Sequence, residues 1–361
     1  MIDPVDMERR AREAGLVLQR SDPLNCETPL SVLRAHRITP NGQFYVRNHF
    51  RIPRLDADSW HLTVDGMVER PLLLTLPELQ NMPRETVTAT LECAGNGRSL
   101  LKPAAPGEQW GLCAVSTAAW TGIRLSHVLE RAGIKAGALE VVFRGADVGP
   151  AGNPDPSNEP IRFERSLSID HALKSDALLA DTMNGEPLPA EHGYPLRLIV
   201  PGWYGVASVK WLTEIMVTPL PFTGYFQTDC YLYEWPRDGT EIKEPVTQQR
   251  VRSLITDPGP DRQIARGELI VRGLAWSGVA PIAQVEVSIG GGTWAKARLL
   301  DEEQPYSWRR WELITPVTRP GRTVIRARAT DLKDRVQPAR PEWNRLGYGS
   351  NAIQEVAVRI T

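Results

Sequence analysis

The 361 residues carry 42 basic against 43 acidic side chains, a formal net charge of −1, so no global field draws nucleic acid or an anionic membrane to the chain. The length exceeds one ordinary core and favours two or three domains, while 42% hydrophobic residues exclude a disordered chain. Thirty prolines and 29 glycines point to a loop-rich fold containing β-structure.

Residues 1–30 read as an N-terminal extension with a helix over residues 5–15. Its scattered charges lack the apolar centre of a signal peptide, and no later stretch is long and apolar enough to span a bilayer. A cytoplasmic protein is expected, or a periplasmic one if a leader has been removed. The strand "WHLTVDG", the helix "TLPELQNM" entered at Thr75 with Pro77 in its first turn, and the strand "ETVTATLEC" follow. Apolar residues at helical spacing predict a helix from Trp120 to Ala132 that ends at a glycine, and "LEVVFRGAD" reads as a buried strand. "YPLRLIVPGWYGVASVKWLTEIMVT" supplies two more strands around a glycine-rich turn. Together these make a mixed α+β domain over residues 31–235. From 236 to 361, short alternating runs such as "GELIVRGLAWSG" and "RTVIRARATD" predict an antiparallel sandwich of immunoglobulin type without its paired cysteines.

The four cysteines lie far apart with no CxxC pair, so neither a zinc finger nor a disulfide scaffold is signalled. No HExxH, GxSxG, Walker loop or GxGxxG after a strand occurs, and "GGGTW" reads as a hairpin turn. Cys93 stands out. By the two-residue strand period Val87, Ala89, Leu91 and Cys93 share one face, and "AGNG" beyond it lets backbone come close to a ligand. Arg98 supplies a charge that favours a thiolate, which is a soft metal ligand. Arg47 to His49, His192 with Arg197, and Ser208 with Lys210 are basic groups in loops at strand ends, a mixture suited to a phosphate with a heteroaromatic body.

The segments "LECAGNGRS", "STAAWTGIRLSHVL", "MNGEPLPAEHGYPLRLIVPGWYGVASVKWL" and "GLAWSG" resemble, in order and spacing, the molybdenum-containing sulfite oxidase family. The resemblance implies a mixed α/β molybdenum-cofactor domain followed by an immunoglobulin-like dimerisation domain. It implies one molybdopterin per molybdenum, with Cys93 as the protein ligand of the metal. By the same matching, His49, Arg98, His192, Arg197, Ser208 and Lys210 surround the pterin and its phosphate, and Arg47, Tyr231 and Trp110 form the substrate pocket. The implied reaction is two-electron oxo transfer, sulfite to sulfate first. Reduction of an S-oxide or N-oxide is the alternative, and a non-catalytic binding protein with a relic cofactor domain is the reading of a different class. A small oxyanion or S-oxide substrate, a separate electron carrier such as a cytochrome, and a homodimer are expected, with no haem, flavin, nucleic acid or membrane. The chain departs from the family pattern at Gly97, Asp229, Cys230 and Leu346, with Arg345 one place early, which predicts a less basic substrate pocket.

Overall fold

The computed structural model describes residues 1–152, 157–237 and 240–361. The N-terminal extension is helical only over Pro4–Glu13, where Asp3 caps the first turn by accepting from the Val5 amide at 3.0 Å. The rest turns into a hairpin, Val17–Arg20 with Asn25–Glu27. Met7 and Ala11 pack into one cluster with Cys26, Val46, Ile52 and Trp211, so this extension is part of the first domain's wall.

Two five-stranded sheets build the first domain. One joins Arg84–Glu92, Val115–Arg124, Leu178–Met183 and Glu186–Pro187 in that order, with Arg197–Ile199 also on Leu178–Met183. The other runs Leu72–Thr75, His61–Gly66, Leu212–Thr218, Glu140–Ala151 and Ser157–Ser168, and is mixed because Leu212–Thr218 lies parallel to His61–Gly66. The Thr75 start is a reciprocal cap. Thr75 Oγ1 accepts from the Glu78 amide, while the Glu78 carboxylate accepts from the Thr75 amide at 2.8 Å.

The helix expected from Trp120 begins five residues later, at Leu125–Ala132, and stops at Gly133 with φ +72°. Trp120 to Arg124 belong to a central strand, where Trp120 pairs with both Val87 and Met183. Sheet pairing on both sides overrides the helical spacing there. A Cβ on Gly122 would lie 2.0 Å from the Leu179 carbonyl, so the close approach of that neighbouring strand requires glycine.

The second domain is a sandwich. Arg252–Asp257, Gly267–Trp276, Arg309–Val317 and Arg298–Leu299 form one sheet, facing Gln263–Ile264, Gln354–Ile360, Gly321–Asp331, Ile282–Ile289 and Ala295–Lys296. Val271, Ala275 and Trp311 of the first sheet meet Val285, Ile325 and Val356 of the second in one core. This strand order is that of an immunoglobulin sandwich. Gly290 and Gly291, both at positive φ, turn the "GGGTW" hairpin. Among the described residues no helix is long and apolar enough to cross a membrane.

Candidate active site

The strand Arg84–Glu92 delivers Cys93 to the place where the two domains meet. Ala89, Leu91 and Cys93 lie in one cluster with Trp110, Trp120 and Ile199, as the two-residue period predicts. The turn after Cys93 is fixed by hydrogen bonds from the Asn96 amide to the Cys93 carbonyl at 2.9 Å and from the Cys93 amide to the Ala114 carbonyl at 2.9 Å. Beneath it Glu92 is 1% exposed and accepts from Arg252 Nη1 at 2.7 Å, Trp276 Nε1 at 2.8 Å and Asn96 Nδ2 at 3.0 Å. The sandwich thus anchors the turn from below.

Two cavities meet at Cys93, sharing Arg47, Asn48, His49, Cys93 and Tyr231. The inner one is walled by His192, Arg197, Ser208 and Lys210, which sequence matching grouped together. Arg197 is 4% exposed and donates to the carbonyls of His192 at 2.9 Å and Ser208 at 3.1 Å, leaving its buried Nε without a partner. Lys210 Nζ donates to Asn48 Oδ1 and to the Glu191 carbonyl. Ser208 Oγ accepts from the Val200 amide at 3.0 Å, so its own hydrogen is free to turn into the cavity. His192 Nε2 lies 3.2 Å from the Asn41 carbonyl and therefore carries a hydrogen.

No described carboxylate lies within ion-pair distance of Arg47, Arg197 or Lys210. Burial pushes Arg197 down to about 10 and holds Lys210 well below the ordinary lysine range, with Arg197 adding repulsion. Asp147 is the carboxylate that lines this chamber among the described residues, 3% exposed with an unpartnered Oδ1; burial raises it to about 7, partly offset by Lys210. Enclosure also holds His49 and His192 far below the usual imidazole value, in both cases reinforced by neighbouring cations. Uncompensated buried cations are costly, so this chamber is built to receive an anion.

The outer cavity holds Arg98, Trp110, Cys230, Tyr231 and Tyr348. Arg98 lies on this side, apart from the group around Lys210. Its Nε donates to the Leu346 carbonyl at 3.2 Å and its Nη1 to the Glu108 carbonyl at 3.0 Å. Gly95 makes room for it: a Cβ there would stand 2.5 Å from Nη1. The small residues after Cys93 therefore accommodate this guanidinium. Burial raises the Cys93 thiol despite the opposing pull of Arg47, the Gly95 amide and Arg98, so arginine alone does not yield a thiolate here. Tyr231, at φ +61°, places its hydroxyl 2.7 Å from His49 Nε2. Trp110 is fully buried.

Asp147 and Tyr348 escaped the sequence reading. Tyr348 stacks on Tyr231 with centroids 4.7 Å apart and planes 19° apart, and the Arg98 guanidinium lies 4.9 Å from the Tyr348 ring centroid. The "GYG" around it, with both glycines at positive φ, is the signal that could have marked it. Arg345 points away, bonding Glu234 with Nη2 at 2.9 Å from Oε1, and Leu346 is buried in the first domain's core. Among the described residues no three histidine, cysteine or acidic side chains converge, so Cys93 does not belong to a cluster of three or more protein ligands.

Comparison with known proteins bears on the family. Residues 49–226 match the family described as oxidoreductase molybdopterin binding domain, and residues 243–361 the Mo-co oxidoreductase dimerisation domain. The chain is 37% identical to sulfite oxidase of Gallus gallus over 360 residues, 94% of this chain and 77% of that protein. It is 35% identical to NADH nitrate reductase 1 of Oryza sativa subsp. japonica, across 94% of this chain but 40% of that protein. The crystal structure of the sulfane dehydrogenase SoxCD from Paracoccus pantotrophus superposes with a TM-score of 0.83 at 30% identity, covering 96% of this chain and 89% of that one. The chain belongs to the sulfite oxidase family of molybdopterin-dependent oxidoreductases.

Proposed function

We propose that this protein oxidises sulfite to sulfate by two-electron oxo transfer at a molybdenum-molybdopterin centre. One observation carries the reading: Cys93 sits where a cation-lined inner chamber meets an outer cavity that bears Arg98 and Tyr348, with Arg47 and Tyr231 lining both. The residues fit the group. His49, His192, Arg197, Ser208 and Lys210 would hold the pterin and its phosphate, an anion giving a partner to Arg197 Nε and a counter-charge to Lys210, which has no carboxylate within ion-pair distance among the described residues. Cys93 would bind the metal, which supplies the two-electron oxo-transfer chemistry when bound.

The chain's own residues then bind and orient. Arg47 and Arg98 would hold substrate oxygens through charge-assisted hydrogen bonds, with Arg98 acting on the substrate side. Tyr231 would donate its hydroxyl hydrogen to a substrate or product oxygen, with neutral His49 at 2.7 Å donating from Nε2 to the Tyr231 oxygen. Buried Trp110 would keep water from that side of the pocket. Two electrons and two protons leave with each sulfate, the electrons going to a separate one-electron carrier such as a cytochrome. The second domain would pair two copies of the chain.

The test is molybdenum and pterin analysis of purified protein, then sulfite oxidation with ferricyanide set against S-oxide, N-oxide and nitrate reduction with a reduced dye. Sulfite turnover supports the reading. Reduction alone reverses the direction, and protein without molybdenum from a cofactor-producing host favours a binding protein.

A further inference from the structure

The outer cavity is only partly an oxyanion site. Of the arginines near it, Arg20 is neutralised by Glu108 at 2.7 Å and Arg345 is drawn off by Glu234, leaving Arg47 and Arg98 as the cations without an acidic partner among the described residues. Around them the wall is aromatic: Trp110, Phe226, Tyr231 and Tyr348.

Tyr348 is held firmly in that wall. Asn344 clamps its backbone from both sides, accepting from the Tyr348 amide at 3.0 Å and donating to its carbonyl at 2.8 Å. The next amide, of Gly349, donates to the Ala94 carbonyl at 2.8 Å, tying this second-domain segment to the residue after Cys93. The ring stacks on Tyr231 with centroids 4.7 Å apart, the Arg98 guanidinium lies 4.9 Å from its centroid, and its hydroxyl is 3.2 Å from Cys230 Sγ. An aromatic side chain held by its backbone therefore lines the cavity beside the anion anchors.

Sulfite is a dianion with three oxygens and calls for donors on every side of the sulfur. A sulfinate, R–SO2−, has one charge, two oxygens, the same sulfur lone pair and one organic group. Two arginines can each take one of the two oxygens, and the aromatic wall matches the organic group that sulfite lacks. We propose that the outer cavity accepts organosulfinates in preference to sulfite and that the protein oxidises them to sulfonates, an inference that rests on the oxo-transfer reading above. The sulfur lone pair forms a third S–O bond, and water is the net source of that oxygen: R–SO2− plus H2O gives R–SO3−, two protons and two electrons. No carbon–sulfur bond breaks, and the electrons pass to two equivalents of a one-electron acceptor.

The experiment uses the full-length, cofactor-loaded protein with ferricyanide. Benzenesulfinate, methanesulfinate and sulfite are compared by kcat/KM, and calorimetry measures benzenesulfonate and sulfate binding to the oxidised protein. The expected result is benzenesulfinate at or above sulfite, one sulfonate per two ferricyanides, and benzenesulfonate binding more tightly than sulfate. Tyr348→Val should lower the benzenesulfinate-to-sulfite ratio about tenfold, and Tyr348→Phe, which keeps the ring, should preserve it. Sulfite favoured about tenfold or more over benzenesulfinate, or sulfate binding as tightly as benzenesulfonate, overturns the proposal while leaving oxo transfer in place. Oxidation of none of the three by protein holding molybdenum and pterin sinks the parent reading itself.

Discussion

Arg252 of the sandwich reaches across to Glu92, the residue before Cys93, and the two form an ion pair at 2.7 Å with side chains 4% and 2% exposed. Trp276, also from the sandwich, donates to the other carboxylate oxygen. The second domain therefore sets the first domain's reactive turn. Replacing Glu92 with Gln leaves the guanidinium buried without its charge partner, which costs about 3–5 kcal/mol. Urea unfolding checks the loss, and molybdenum content should fall with it because the turn loses its support. Unchanged stability would show that solvent already reaches Arg252.

Cys93→Ser separates holding the metal from holding the fold. The side chain is 5% exposed and packed beside Trp110, so the smaller hydroxyl costs about 1–3 kcal/mol for a poorly paired polar group. The protein should remain folded by circular dichroism while sulfite turnover is abolished. A variant that keeps its turnover refutes the ligand assignment.

Much of this site was legible because strand alternation is local. The run from Val87 to Cys93 turns Cys93 inward whatever else the chain does, and the Thr75 cap is written in four consecutive residues. Trp120 was misread because its helical spacing is real but loses to pairing with strands more than 30 and 60 residues away. Asp147 and Tyr348 carry no local pattern of function. Their placement depends on which sheets and loops the tertiary fold brings against Lys210 and Tyr231. Leu346 and Arg345 stand out in the sequence by position alone, and the ion pair with Glu234 is a tertiary contact that no local pattern announces.

Tyr231→Phe removes the hydroxyl that meets His49 and keeps the ring stacked on Tyr348. Ground-state binding by Arg47 and Arg98 survives, so KM for sulfite should change little. The hydrogen-bond donor acts as charge shifts on the substrate, and kcat should fall on the order of a hundredfold. Steady-state kinetics distinguish this from a binding role, which would raise KM with kcat preserved.

His192 makes the inner chamber sensitive to pH when no anion fills it. Its imidazole is 3% exposed, and burial together with Lys210 and Arg197 holds its folded pKa well below the ordinary 6.5. Below that value the unfolded chain takes up a proton that the folded chain refuses, so this group's contribution to stability is present above 6.5 and is lost as pH falls. The loss approaches about 1.4 kcal/mol per pH unit. His192→Gln keeps a donor for the Asn41 carbonyl and removes the titration. In cofactor-free protein the stability penalty of this variant should therefore shrink by up to about 1.4 kcal/mol for each pH unit below 6.5, measured as urea unfolding free energy. A penalty independent of pH would mean that His192 is protonated in the folded chamber. In cofactor-loaded protein the same slope should flatten, because a phosphate beside Lys210 and Arg197 offsets the repulsion that keeps the imidazole neutral.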